Sequence, residues 1–258
     1  MNKCNIYVRM DKSGGASVEI SVSGNTHTGI TRSNNEDAYG IFPDINLYIV
    51  TDGLGGHAGG EVASRLAVDI IGSEIASALA TDEIREIMQR AILTANSIIQ
   101  QKAEEDSSLH GMGTTVVVVN INENKAVVAH VGDSRAYLIR KDIITQITKD
   151  HTVVEEYIRI GIMTPKDALY HPSRRILSRA VGTEGVANAD FESIRIQAGD
   201  VLLLCTDGLT NMLSDKEILQ AVSELRPDSE RITSRLIELA NNNGGIDNIT
   251  VIALCVLL

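Results

Sequence analysis

The sequence predicts an α+β fold in which two mainly antiparallel β-sheets pack together with helix pairs outside them. Strand-like apolar runs come first, followed by two amphipathic helices, many further strands, two more helices and a last strand. Helices that are segregated from antiparallel strands form layers rather than alternating βαβ units. With 43% hydrophobic residues but no Trp and two Phe, the core must be aliphatic. Only four prolines and no low-complexity tract are present, so we expect one domain over residues 1–258.

The first half of the chain is predicted to form three strands and then two helices. Alternation through Val18, Ile20 and Val22 indicates the first strand, and the runs DAYGIF and NLYIVTDG indicate the next two. After Gly60 the apolar period becomes that of a helix. A second amphipathic helix follows Thr81. Both helices have one apolar face, which predicts that they cover a core.

The second half returns to strands. The runs TTVVVVNI, KAVVAHVGD, RAYLIR and DIITQIT are joined by short turns and predict an antiparallel meander. Residues 152–180 break this rhythm and are predicted to form a surface excursion, after which FESIRI and GDVLLLCTDG resume the strands. Ser214 and Glu217 have the spacing of a capping box. A last helix near 229–240 should stop at the NNNGG of residues 241–245, before the strand NITVIALCV.

Composition excludes several classes of function. The net charge of −11 and the lack of a Lys/Arg cluster argue against nucleic-acid binding. The N-terminus lacks the apolar stretch of a signal peptide, and the final apolar run is far shorter than the roughly 20 residues of a membrane helix. Three cysteines form no CxxC pair, which favours a reducing compartment. We expect a cytoplasmic protein that binds neither nucleic acid nor membrane.

Four short turns rich in carboxylates are the most informative feature of the chain. They are NNED at residues 34–37, TDGLGGH at 51–57, CTDGL at 205–209 and IDNITV at 246–251. At least three of them adjoin an apolar run that reads as a strand, and a strand end is a rigid mount for a ligand. Carboxylate oxygens suit hard divalent cations such as Mg²⁺ or Mn²⁺. We therefore expect the fold to gather these turns into one metal site.

Taken together, the motifs resemble those of the type 2C family of metal-dependent serine/threonine protein phosphatases (the PPM family), and most closely its bacterial branch. The matching motifs run from GITRSNNED through VTDGLGGHAGGEVAS, GTT, HVGDSRAYL, TKDHT, LSRAVG and LLCTDGL to DNITV. They extend from about Gly29 to Val251, nearly the whole chain. The resemblance implies a four-layer αββα sandwich. It also makes residues 152–180 the family's flap subdomain and leaves residues 1–15 as an N-terminal extension of unknown role.

The resemblance also implies the ligands of two core metal ions. Asp52 would bridge the two ions, and the carbonyl of Gly53 would bind one of them. Asp207 and Asp247 would complete the protein ligands of the other ion. These residues are the expected catalytic centre, together with Arg32, which falls where the family holds its phosphate-binding arginine.

Further residues of the site follow from the same resemblance. Glu36 and Asp37 would act mostly through metal-bound waters. A third, weaker metal site would use Asp133 together with Asp207, and Asn248 would support the centre beside Asp247.

The expected chemistry agrees with these roles. A phosphate monoester carries two negative charges and repels an anionic nucleophile. Two divalent ions about 3.5–4 Å apart can hold a shared water, lower its pKa and offset the charge on the phosphoryl oxygens. A planar guanidinium matches two phosphate oxygens at once. The implied reaction is direct in-line hydrolysis of phosphoserine and phosphothreonine in proteins. Expected partners are phosphorylated proteins and a cognate Ser/Thr kinase or its substrates, and we expect a monomer.

The chain departs from many eukaryotic relatives at one position. Where those relatives have a His after the first DG, this chain has Leu54. A leaving alkoxide needs a proton source, and His57 is the nearest candidate for the general acid. A metal-bound water could serve instead, and the favoured interpretation of His57 is that it stabilises its turn or contacts the substrate. His151 is interpreted as a structural residue that bonds within its own turn.

Other functions were weighed against this one, and several lack their motifs in the sequence. No Cys has an Arg six residues later, no Lys follows a Gly, and no His is followed by Glu, which argues against a cysteine phosphatase, a Walker A loop and an HExxH zinc site. The alternative from another class is a non-catalytic pseudophosphatase that binds a phosphorylated partner. A further alternative keeps the chemistry but takes anti-sigma antagonists in bacterial signalling as substrates.

Overall fold

The computed structural model describes residues 6–10, 18–55, 59–78, 83–185 and 187–257. The strands are β1 Ile6–Met10, β2 Val18–His27, β3 Asp37–Phe42, β4 Leu47–Leu54, β5 Gly113–Thr114, β6 Val116–Asn122, β7 Lys125–Val131, β8 Arg135–Arg140, β9 Ile143–Gln146, β10 Asp190–Arg195, β11 Val201–Cys205 and β12 Ile249–Val256. The α-helices are α1 Gly59–Ala78, α2 Ile84–Glu105, α3 Val153–Arg159, α4 Pro165–Ala168, α5 Asp207–Thr210, α6 Asp215–Leu225 and α7 Ser229–Asn242.

The strands form two antiparallel sheets between two layers of helices. The first sheet has the order β10-β7-β6-β4-β3, with β5 paired to β4, and the second has the order β1-β2-β12-β11-β8-β9. Helices α1 and α2 cover the outer face of the first sheet, and α6 and α7 cover the outer face of the second. The predicted α+β class and the four-layer αββα sandwich are both confirmed.

Side-chain alternation along the strands explains the layers. Leu47 and Ile49 of β4 face α1 and α2, whereas Tyr48 and Val50 between them face the second sheet. Because successive side chains of a strand point to opposite faces, a fully apolar run fits a sheet that is covered on both sides. All four of these side chains are completely buried. The core is aliphatic, as the composition predicts.

The helices of the second outer layer begin and end where the sequence places their signals. Ser214 caps α6 in a capping box, since the Glu217 carboxylate accepts from the backbone N–H of Ser214 at 2.8 Å. The side chain of Asp228 caps α7 by accepting from the N–H of Arg231. After α7 the chain turns through Gly244, whose φ of +127° favours glycine.

The predicted meander is wrong, because β6 and β7 lie in the first sheet while β8 and β9 lie in the second. The chain crosses between the sheets at residues 132–134. Gly132 has a φ of +105°, and a Cβ there would lie 2.6 Å from the side chain of Thr115. Short spacing between strands suggested hairpins throughout, but this glycine turn passes the chain to the other sheet. The strand β1, which pairs with β2, was also not predicted.

Residues 152–180, here called the flap segment, leave the sandwich between β9 and β10. They contain α3 and α4, and Thr164 caps α4 with Pro165 in its first turn. Two backbone hydrogen bonds close the base of the segment: Val153 N–H to Ile176 O at 2.9 Å and Ser178 N–H to His151 O at 2.8 Å. Among the described residues, no helix has the length and apolar character needed to cross a membrane.

Candidate active site

The predicted carboxylates meet at one end of the sandwich. In antiparallel sheets the start of one strand lies beside the end of its neighbour, so β3 and β12 begin where β4 and β11 end. Asp37 and Asp52 are direct register partners on β3 and β4. Asp207 follows β11, and Asp247 precedes β12. Both sheets therefore contribute acidic side chains to the same edge.

Asp52 is held by Thr114 at the end of β5 and by Thr115, which follows it. Its N–H donates to Thr115 Oγ1 at 3.1 Å, and its carbonyl accepts from the Thr115 N–H and the Thr114 hydroxyl, each at 2.9 Å. The next residue, Gly53, donates its N–H to Glu36 O at 3.1 Å. A Cβ on Gly53 would lie 2.1 Å from Gly60 O, so only glycine allows this close approach of three backbone segments.

Asp37 connects the two sheets. Its side chain is buried, and Oδ2 accepts from the Thr206 hydroxyl at 2.9 Å and from the Thr250 hydroxyl at 2.7 Å. Burial raises the pKa of Asp37 to about 7, and the charges of Asp207 and Asp247 act in the same direction. The two hydroxyl groups partly oppose this shift because they stabilise the carboxylate.

Asp207 opens the short helix α5, and Asn211 Nδ2 donates to its Oδ2 at 2.8 Å. Burial, followed by the charge of Asp247, raises the pKa of Asp207. The Asn211 amide and the Asp52 carboxyl group both lower the pKa of Asp207 and so oppose the shift that burial causes. Asp133 lies in the crossing between β7 and β8, and burial raises its pKa to about 7 with a further contribution from Asp207. Asp133 therefore belongs to the same electrostatic group.

The carboxylates have the character of a cation site. Burial raises the pKa of Asp52 well above its ordinary value, and the charges of Asp37, Asp207, Asp133 and Asp247 raise it further. Packing this many acids together costs free energy unless positive charge compensates them. The donor atoms are carboxylate oxygens, which fit hard divalent cations better than thiophilic ones. The residues present thus fit the divalent metal that the resemblance implies.

Arg32 forms an ion pair with one member of this group. Its Nη2 donates to Asp247 Oδ2 at 2.9 Å, and 47% of its side chain is exposed. Glu36 and Asp52 are also close enough to act on its charge. Arg32 therefore lies at the rim of the acidic group with its guanidinium accessible from outside.

Asn248 joins three loops around the site. Its Oδ1 accepts from the Glu36 N–H at 2.8 Å, and its Nδ2 donates to the carbonyls of Thr28 at 2.8 Å and Asn34 at 2.9 Å. Its own N–H donates to Asp247 Oδ1 at 2.9 Å. One buried amide thus fixes the NNED turn, which carries Glu36, against the DNITV strand.

The prediction for His57 lies outside the described residues. The other predicted site residues are all placed at this edge of the sandwich: Arg32, Glu36, Asp37, Asp52, Gly53, Asp133, Asp207, Asp247 and Asn248. Sequence reasoning missed the residues that hold the acids, namely Thr115, Thr206, Asn211 and Thr250. A signal existed for one of them, because Thr206 precedes the second DG.

A second group of possible metal ligands lies beside the flap segment. Ligand atoms of His130, His151 and Asp190 lie within 4.8 Å of one another. However, Arg179 already pairs with Asp190 at 2.9 Å, and His151 Nδ1 accepts from the Gly132 N–H at 3.1 Å. His151 Nε2 lies 3.3 Å from Asp190 Oδ2. His151 therefore connects neighbouring segments, rather than bonding only within its own turn as predicted.

A cavity of about 350 Å³ lies between the flap segment and the acidic group. Asp133, Asp207 and Asn211 line its inner side, and Leu169, Arg174 and Arg175 line its outer side. Arg135 also reaches the cavity, but its guanidinium is paired with Asp150 at 2.7 Å. The cavity is continuous with the edge where the carboxylates meet.

Comparison with known proteins agrees with this geometry. The family model described as Protein phosphatase 2C matches residues 24–244. The serine/threonine phosphatase stp of Listeria innocua is 40% identical over 233 residues, which cover 88% of this chain and 92% of that protein.

Solved structures are similar as well. The S. agalactiae serine/threonine phosphatase has a TM-score of 0.84 at 34% identity and covers 92% of this chain and 99% of its own. The catalytic domain of the serine/threonine protein phosphatase PstP, in complex with two manganese ions, has a TM-score of 0.80 at 34% identity, with coverages of 93% and 99%. The resemblance seen in the sequence is confirmed, and the chain belongs to the protein phosphatase 2C family.

Proposed function

We propose that this chain is a phosphoprotein phosphatase that hydrolyses phosphoserine and phosphothreonine with two core Mg²⁺ or Mn²⁺ ions and a third, weaker metal site. The carrying observation is the convergence of Asp37, Asp52, Asp133, Asp207 and Asp247 from both sheets, next to the accessible guanidinium of Arg32. Relatives that are named serine/threonine phosphatases support the same reaction.

The family resemblance and the position of these residues support the following metal ligands. Asp52 lies at the centre of the group, next to Asp207, and would bridge the two core ions, one of which would also take the Gly53 carbonyl. Asp207 and Asp247 would complete the other ion. Asp133, together with Asp207, would hold the third. The manganese-bound PstP structure supports two ions in a site of this fold.

Glu36 and Asp37 are buried, and Asp37 is the register partner of Asp52. Two hydroxyl groups hold the Asp37 carboxylate, and Asn34 Nδ2 donates to Glu36 Oε1 at 3.2 Å, so both side chains are already oriented before cations arrive. Their place suits hydrogen bonds to metal-bound waters. Asn248 orients Asp247 through its backbone N–H.

Two divalent ions lower the pKa of a shared water and offset the charge of the phosphoryl oxygens. Arg32 binds two oxygens of the substrate phosphate. For this its guanidinium must either break its ion pair with Asp247 or bind Asp247 and the phosphate together. Hydrolysis proceeds in line, without a phosphoenzyme. His57 is the candidate proton donor to the leaving alkoxide, with a metal-bound water as its alternative.

We further propose a single domain over residues 1–258, with the flap segment as a subdomain beside the site and residues 1–15 as an extension. The substrates are phosphorylated Ser/Thr proteins, among them a cognate kinase or its targets. We propose a monomer that works in the cytoplasm.

The test is turnover of p-nitrophenyl phosphate with Mn²⁺, with and without EDTA. Asp207→Asn should abolish metal-dependent turnover because a shared ligand is lost. Asp142→Asn is the matched control, since Asp142 is 90% exposed and belongs to the opposite region near Arg226. Turnover retained in Asp207→Asn would contradict the assignment, and a wild-type protein inactive with Mn²⁺ would favour a pseudophosphatase.

Arg32→Ala should act differently from the metal ligands. Ground-state binding of the phosphate is lost, so KM should rise more than kcat falls. An unchanged KM in steady-state kinetics would remove Arg32 from substrate binding.

A further inference from the structure

The cavity between the flap segment and the acidic group has two unlike sides. Its inner side carries the proposed metal ligands Asp133 and Asp207. Its outer side carries the consecutive arginines Arg174 and Arg175, both exposed. A phosphoserine placed at the metal centre would have its neighbouring residues within reach of this outer side.

Arg175 differs from three other arginines around the site, which form ion pairs. Arg32 is paired with Asp247, Arg135 with Asp150, and Arg179 with Asp190. Within the described part of the chain, Arg175 has no carboxylate at salt-bridge distance, although the protein carries a net charge of −11. A guanidinium left unpaired in so acidic a protein is available for an outside anion.

The neighbouring Arg174 has a different task. Its Nη1 donates to the Leu169 carbonyl at 3.4 Å, a contact within the flap segment itself. The charge of Arg175, by contrast, acts on the Asp207 carboxylate across the cavity. Arg175 is therefore the residue that faces the reaction centre electrostatically and stays free.

We propose that Arg175 is a specificity-determining residue, which binds a second anionic group on the polypeptide that carries the phosphoserine. This inference rests on the proposed function. The second group is a carboxylate or a second phosphate within a few residues of the reacting one. A planar guanidinium can take either group with two parallel hydrogen bonds. The cavity volume of about 350 Å³ suits one or two side chains rather than a folded surface.

The surroundings of the cavity support a polypeptide partner. Leu169 and Tyr170 on the flap segment are 65% and 82% exposed. Exposed apolar side chains beside a charged cavity provide contact area for the chain on which the anion is carried. A small phosphate ester would not reach them.

The experiment compares phosphoserine peptides that differ only in the residues flanking the phosphoserine. One arm has Glu within three positions on either side, a second has a further phosphoserine, and the reference has Gln. We expect kcat/KM to be about fivefold higher for an anionic arm, as for an exposed ion pair of about 1 kcal/mol. In Arg175→Gln this ratio should fall towards one, and Arg175→Lys should retain part of it because the charge remains.

Arg159→Gln is the matched control. It removes a flap arginine that is 71% exposed, is paired with Glu156 and does not line the cavity. The control should keep the wild-type ratio. An equal fall in Arg159→Gln would overturn the inference, because the preference would then reflect net charge alone.

The remaining outcomes are separable. If wild-type protein hydrolyses all peptides with equal kcat/KM, or if Arg175→Gln keeps the preference, the inference fails while the proposed function stands. If wild-type protein with Mn²⁺ hydrolyses neither p-nitrophenyl phosphate nor any peptide, the proposed function itself fails. If the wild-type preference is lost in Arg175→Gln, comparison of the two anionic arms shows whether a carboxylate or a phosphate is the better ligand of Arg175.

Discussion

Replacing Asn248 with Ala should destabilise the protein through loops that are far apart in sequence. The side chain is buried and makes three hydrogen bonds, with the Glu36 N–H and with the carbonyls of Thr28 and Asn34. At about 1 kcal/mol for each bond, the free energy of unfolding should fall by about 3 kcal/mol. For a chain of this size, that corresponds to a fall in Tm of about 6–12 °C.

The assay is thermal unfolding at saturating and at zero Mn²⁺, with activity measured in parallel. Asn248→Asp keeps the acceptor but sets a carboxylate against two carbonyl oxygens, so it should be no less destabilising at neutral pH. Asn243→Ala is the control, because Asn243 makes one exposed bond, to the Met212 carbonyl at 3.0 Å. A Tm for Asn248→Ala as close to wild type as that of the control would refute the reasoning.

Two further predictions concern buried side chains. Thr250→Val removes the 2.7 Å bond to Asp37 and should weaken Mn²⁺ affinity about tenfold, as loss of a group that orients a metal site does. The Mn²⁺ affinity is measured by titrating Mn²⁺ and following activity, and an unchanged affinity would contradict the prediction. The control is Thr233→Val, because Thr233 is equally buried but lies in α7. Burial, with the charges of His130 and Arg179, lowers the pKa of His151 to about 4. Because the unfolded chain binds this proton with a pKa of about 6.5, the wild-type protein loses stability as the pH falls below that value. His151→Gln lacks this titration, so its stability deficit relative to wild type should shrink by about 2 kcal/mol between pH 7 and 5 in urea unfolding; a constant deficit would disprove it.

Local signals made most of the elements predictable. The capping box at Ser214 and the change of apolar period after Gly60 depend only on neighbours in sequence. The strand that ends in the first DG was equally predictable, because a turn bounds its apolar run. These features need no knowledge of what packs against them.

Remote partners were not predictable. Asp37 and Thr206 are 169 positions apart, and nothing in either segment identifies the other. The crossing of the chain to the second sheet at Gly132 was not predicted for the same reason, because in sequence a glycine turn between two strands looks like a hairpin. The family resemblance supplied the acids, but not the hydroxyl and amide groups that hold them.

The two threonines that bind the Asp37 carboxylate connect the acidic group to the stability of the fold. Asp37 belongs to one sheet, whereas Thr250 lies in β12 of the other sheet and Thr206 directly follows β11. The hydrogen bonds of this carboxylate therefore join the two sheets. Any cation captured there favours the joined sheets over the unfolded chain by mass action. Divalent ion supply would thus govern how long the molecule survives proteolysis as well as how fast it turns over.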